Sequence, residues 1–124
     1  MTYAKTDLFS EKHRMLSDMA KALSHPARIA ILEYLANQDV CMSGDITRKI
    51  PLNRSTASQH LQELKNAGLI KGTVSGTRIY YCIDTAKVEE MKNEFCNLME
   101  HISSNKSSCR INTEESENGN KTGK

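Results

Sequence analysis

The hydrophobic period of this chain changes abruptly at Gly68, and that change limits what the chain can fold into. Before it, "NRSTASQHLQELKNAG" spaces Ala57, Leu61 and Leu64 at helical intervals, which gathers them on one face at 100° per residue. After it, two β-prone runs at residues 69–74 and 78–83 flank Ser75-Gly76-Thr77, a combination suited to a tight hairpin. The spacing predicts a helix that starts near residues 53–55 and stops at Gly68, where glycine takes up left-handed backbone. A helix that passes directly into a hairpin leaves little room for other architectures.

Upstream, Met15, Leu16, Met19 and Leu23 recur at helical spacing and predict a helix over about residues 8–23. In "SHPARIAILEYLAN" Ser24 or His25 caps a second helix, with Pro26 near its first position and Ala27, Ile31, Leu32 and Leu35 as its buried stripe. A short helix is expected over residues 43–50, ending near Pro51. The last helix is expected over residues 85–103. From Asn105 the chain is almost entirely Ser, Asn, Glu, Lys and Gly, a composition that cannot bury a core of its own. The expectation is one domain over residues 1–104, mainly α with a small β-hairpin wing, and a disordered polar tail over 105–124.

A length of 124 residues suits one domain. No run approaches the roughly 18 apolar residues of a membrane span, and the start lacks a basic-then-apolar leader. A cytoplasmic protein without membrane contact is expected. Cys41, Cys82, Cys96 and Cys109 include no CxxC pair, and in such a chain they read as free thiols rather than a disulfide framework.

The net charge of +2 conceals an uneven distribution. Residues 42–81 carry Arg48, Lys49, Arg54, Lys65, Lys71 and Arg78 against Asp45 and Glu63, whereas residues 82–104 are net acidic. Positive charge therefore collects around the helix and hairpin, as a surface meeting an anion requires. An ordinary solvated face has the same pattern, so charge alone does not decide.

The outward face of the helix is more specific. Ser55, Gln59, Gln62 and Asn66 point away from the apolar stripe, Thr56 and Ser58 flank them, and Arg54 stands at the tip. These are indifferent helix formers for an opening turn. Short hydroxyl and amide side chains permit close approach and both donate and accept, which is what base edges in the DNA major groove demand. Free N–H groups at the helix start favour a phosphate. Two helices joined by a turn, the second presenting its N-terminal residues, form a helix-turn-helix. The hairpin, with Gly76, Thr77 and Arg78 at its tip, would be the wing.

"KALSHPARIAILEYL" followed by "STASQHLQELKNAGLIKGTVSGTRIYYCID" resembles the arsenic-repressor (ArsR) family of winged helix-turn-helix transcription regulators. The resemblance covers about residues 8–103. It rests on Pro26 and Arg28, on Ser58-x-His60-Leu61, on Ala67-Gly68-Leu69 and on Tyr80-Tyr81, in that order. It implies a homodimer, joined through its first and last helices, that binds a palindromic double-stranded DNA operator and represses until an effector releases it. It brings no catalytic residues.

The expected DNA contacts are Arg54, Ser55, Thr56, Ser58, Gln59, His60, Thr77 and Arg78. Gln59 is the best base reader, since its amide can pair bidentately with adenine, while Arg54 and Arg78 suit phosphate or minor groove. His60 lies about 60° from the centre of the apolar face, so packing and phosphate contact both remain open. Val88, Met91, Phe95, Leu98 and Ile102 follow a 3-4-3-4 spacing on the last helix, a coiled-coil-like seam expected to form the dimer interface.

The effector is less legible. Where arsenic- and cadmium-sensing members of the family carry Cys-x-Cys, this chain has Cys41-Met42-Ser43, and a soft ion usually needs more thiolates than one. Glu90, Glu94, Glu100 and His101 do not follow a zinc-type spacing. No metal site and no cofactor are expected. Cys41 is the candidate redox or effector thiol, ahead of the expected short helix, with Cys96 or Cys109 as partner, while Cys82 reads as packing. A winged-helix module that binds protein rather than DNA is the competing function, although it calls for an apolar or acidic face on the fourth helix. No glycine-rich phosphate loop, ligand cluster or based nucleophile points to an enzyme.

Overall fold

The computed structural model describes residues 8–43, 46, 49–107 and 111. The chain order is α1 (Glu11–Ala22), α2 (Pro26–Ala36), β1 (Met42–Ser43), α3 (Arg54–Asn66), β2 (Ile70–Ser75), β3 (Arg78–Ile83) and α4 (Thr85–Ser103).

Each helix begins where a side chain answers the open backbone donors of its first turn. Ser10 accepts from the His13 N–H at 3.1 Å, so α1 starts at Glu11 and leaves Leu8 and Phe9 exposed outside it. His25 Nδ1 accepts from the Ala27 N–H at 2.9 Å, with Pro26 at the first position of α2. Asn53 Oδ1 accepts from the Thr56 N–H at 2.8 Å, and Asp84 accepts from the Lys87 N–H at 3.2 Å at the head of α4. Such caps contribute about 1 kcal/mol each.

The change of period at Gly68 has a defined geometry. Gly68 has φ 86°, its N–H donates to Lys65 O at 2.9 Å, and the Leu69 N–H reaches back to Leu64 O at 3.1 Å. This pair of bonds is the Schellman motif. It turns the chain so that Leu69 and Ile70 enter the core directly after Gly68. Ser75 then pairs with Arg78 around Gly76-Thr77, and Gly76 has φ 66° as tight hairpin turns require.

The core is built from one stripe of each helix and the root of the hairpin. Met19, Ile31, Leu35, Leu61, Leu64, Leu69, Ile70 and Met91 form a single cluster, joined by Ile46 and Ile50. Leu32, expected in the buried stripe of α2, is half-buried at its margin. The root of the hairpin is locked to α4 by the Asp84 N–H, which donates to Leu69 O at 2.9 Å.

One element differs from expectation. Met42 and Ser43 do not open a helix; they pair with Tyr81 and Tyr80 as an antiparallel third strand, giving the sheet order β1-β3-β2. The outer edge of β3 offers unpaired backbone groups, and a nearby extended segment satisfies them. Ile46 and Lys49 are in 3₁₀ conformation and Ile50 turns into Pro51. Gly44, Asp45, Thr47 and Arg48 of the expected short helix lie outside the described residues. So do residues 1–7 and nearly all of the expected tail, Cys109 included.

Candidate nucleic-acid interface

The opening turns of α3 divide cleanly into two faces. Ala57, His60, Leu61 and Leu64 are buried, whereas Arg54, Ser55, Ser58 and Gln59 are exposed and Thr56 is half-buried between them. Ser55 Oγ also donates to the capping Asn53 at 3.1 Å. The exposed face is therefore polar and short, with Arg54 at its head. Further along, Gln62 donates to Asn66 at 2.9 Å across one turn of the same helix. At the far end of the hairpin, Gly76, Thr77 and Arg78 are exposed, and nothing lies within 4 Å of where a Gly76 Cβ would stand. Lys65 and Lys71 are also exposed, which keeps the α3 and hairpin surface basic.

A polar network lies beneath α3, between it and α2. His60 is 8% exposed, and its Nδ1 accepts from Arg28 Nε at 3.0 Å. Arg28 Nη1 also donates to the carbonyls of Ala22 (3.3 Å) and Lys21 (3.4 Å), which close α1. The His25 ring, already capping α2, lies 4.3 Å from the His60 ring, tilted by 46°. An Nδ1 that accepts belongs to a neutral imidazole with its proton on Nε2. Burial lowers the His60 pKa from its ordinary value, and the charges of His25 and Arg28 push it the same way against the weaker pull of Glu63. One guanidinium thus ties the end of α1, the start of α2 and the middle of α3.

This geometry separates the expected contact residues. Arg54, Ser55, Ser58, Gln59, Thr77 and Arg78 lie on the surface, and Thr56 at its edge. His60, by contrast, is buried, with its Nδ1 turned to Arg28. The role of Arg28 was not legible from spacing, because its partner is 32 residues away. Among the described residues no group of three or more His, Cys, Asp and Glu side chains is arranged to hold a metal ion. Glu94, named among the unmatched acidic residues, instead faces Lys12 of α1 at 3.7 Å.

Residues 23–73, from the end of α1 through the middle of β2, match the family described as a helix-turn-helix domain. The chain is 35% identical over 82 residues to the HTH-type transcriptional regulator YgaV of Escherichia coli, spanning 63% of this chain and 83% of that one. The chain belongs to the ArsR family of winged helix-turn-helix transcriptional regulators. It is also 31% identical over 84 residues to the transcriptional repressor SdpR of Bacillus subtilis, covering 68% of this chain and 92% of the relative. Its fold superposes on the homodimeric winged helix-turn-helix DNA-binding domain of a Mycobacterium bovis ArsR-type protein with TM-score 0.57 at 27% identity, over 78% and 94% of the two chains. In this winged helix-turn-helix fold α3 is the second helix of the motif and β2–β3 the wing. ArsR-family proteins are DNA-binding regulators of transcription rather than enzymes. Among the described residues no helix is long and apolar enough to cross a membrane.

Proposed function

We propose that this ArsR-family regulator is a homodimeric repressor that lays α3 into successive major grooves of a palindromic operator and is released by an effector. The observation that carries the reading is the two-faced opening of α3, exposed and polar at Arg54, Ser55, Ser58 and Gln59 while Ala57, Leu61 and Leu64 hold it to the core. Gln59 reads a base edge, with Ser55, Thr56 and Ser58 bonding beside it. Arg54, Thr77 and Arg78 grip phosphate or minor groove and set the register. His60 acts from inside by fixing the angle of α3 through Arg28.

The dimer forms through α1 and α4. Val88, Met91 and Phe95 already pack on the chain's own core, while Leu98 is half-buried and Met99 and Ile102 remain 53% and 52% exposed. The second half of the expected seam is thus left for a partner, and the homodimeric M. bovis neighbour supports the existence of a dimer. SdpR, a repressor by name, supports the direction of regulation.

The test is selection of bound duplexes from a random DNA pool, followed by anisotropy titration at several salt concentrations. The reading expects an inverted repeat and an affinity that falls steeply with salt, as counterion release dictates. Failure to enrich any sequence at low salt would leave the winged-helix protein-interaction module as the better reading.

A further inference from the structure

The strand that replaces the expected helix brings two cysteines together. Met42 pairs with Tyr81 and Ser43 with Tyr80, so the next position in the same antiparallel register sets Cys41 opposite Cys82. Residues directly opposite in such a ladder have Cα atoms about 4.5–5.5 Å apart. A disulfide accepts about 4.4–6.8 Å, a range that includes the spacing of this register. Both residues are half-buried thiols, and both line an open cleft of about 350 Å³ with Leu35, Val40, Ile83 and Thr85. A small oxidant can therefore reach them.

We propose that Cys41 and Cys82 are a dithiol site that closes to an intrachain disulfide when the protein meets a two-electron oxidant of the peroxide class. Cys41 is the attacking sulfur. Cys82 holds its proton more tightly than an ordinary thiol, chiefly through its hydrogen bond with Cys41 and then through burial, with Lys71 across the β2–β3 ladder opposing weakly. The Cys41 thiolate attacks one peroxide oxygen, the O–O bond breaks, and a sulfenic acid forms as hydroxide leaves and is protonated to water. The Cys82 sulfur then attacks the Cys41 sulfur, the S–S bond forms, the S–O bond breaks, and the departing hydroxide takes the Cys82 proton. Two thiols lose two electrons in total, and the peroxide becomes two waters.

The closed loop contains all of α3 and β2. The disulfide thus staples the segment leading into the reading helix to the root of the wing. It also removes freedom from the unfolded chain, which raises the melting temperature.

The experiment treats the full-length Cys96→Ser/Cys109→Ser protein, which retains only this pair, with stoichiometric hydrogen peroxide. Thiol titration and non-reducing peptide mapping then follow. The expected result is loss of both thiols, a peptide joining Cys41 to Cys82 within a monomeric chain, and a melting temperature that rises and returns on reduction. In the wild type, Cys82→Ser is expected to leave a sulfenic acid at Cys41 that a dimedone-type reagent traps, and Cys41→Ser to leave Cys82 unreacted. Over-oxidised Cys41 beside free Cys82 in the two-cysteine protein, or disulfides only between chains, would overturn the proposal.

Discussion

Helices α3 and α4 both turn one side to the same core, yet they leave opposite kinds of surface behind. In thirteen residues α3 buries Ala57, His60, Leu61 and Leu64 and exposes hydroxyls, amides and a guanidinium. In nineteen residues α4 buries Met91 alone, and its last turns expose Met99 and Ile102. The outward face of α3 is complete in the single chain and suits a hydrated polyanion. The outer end of α4 is not: burying a side chain of this size is worth about 1.5–3 kcal/mol, which favours a second apolar surface. On the proposed reading, one helix meets DNA and the other a copy of itself.

The largest expected effect breaks the second half of this contrast. Phe95→Glu with Leu98→Glu should yield monomers by sedimentation velocity and abolish operator binding, while far-ultraviolet circular dichroism stays helical. An unmodified protein that sediments as a stable monomer would reduce the seam to an internal core.

A paired truncation sharpens it. Leu64 is fully buried within the chain, so Leu64→Ala should cost about 2–5 kcal/mol in denaturant unfolding. Leu98→Ala should cost less, and its cost should change with protein concentration, because association is linked to folding. Equal, concentration-independent losses would erase the distinction between the helices.

A smaller effect probes the support beneath α3. The folded-state pKa of His60 lies below the unfolded value of about 6.5, so the unfolded chain takes up the proton first as pH falls. The contribution of His60 is therefore whole above that value and is lost as pH drops through the folded pKa. Melting temperature should fall between about pH 7.5 and 5.5 by more in the wild type than in His60→Gln, whose amide still accepts from Arg28. Parallel profiles would mean that the imidazole does not titrate against folding.

The parts of this contrast that were legible in the sequence are those with local causes. Asn53, Pro26 and Gly68 mark helix ends through caps and φ preferences, and these hold in the structure. The apolar stripe of α3 and the hairpin turn at Gly76 likewise follow from neighbouring residues. What escaped was long-range. A two-residue strand has no period to detect, so Ser43 looked like the start of a helix, and Cys82 looked like packing because its neighbour Cys41 is close only through that strand. The Arg28–His60 bond escaped for the same reason, since nothing local distinguishes a histidine about 60° off the apolar face as buried or solvated. The contact roles on α3 and the wing rest on surface chemistry and family, and their proof lies in binding.

The division of labour between α3 and the wing is tested most directly by one binding-energy comparison. Wild type, Gln59→Ala and Arg78→Ala are titrated by anisotropy against the selected operator and its single-base variants over a range of salt. Gln59→Ala should lose about 1–3 kcal/mol on the selected operator, lose its preference at one position of each half-site, and keep the salt slope. Arg78→Ala should weaken binding to every sequence alike and reduce the salt slope by about 1. Base preference untouched in Gln59→Ala but altered in Arg78→Ala would contradict the account.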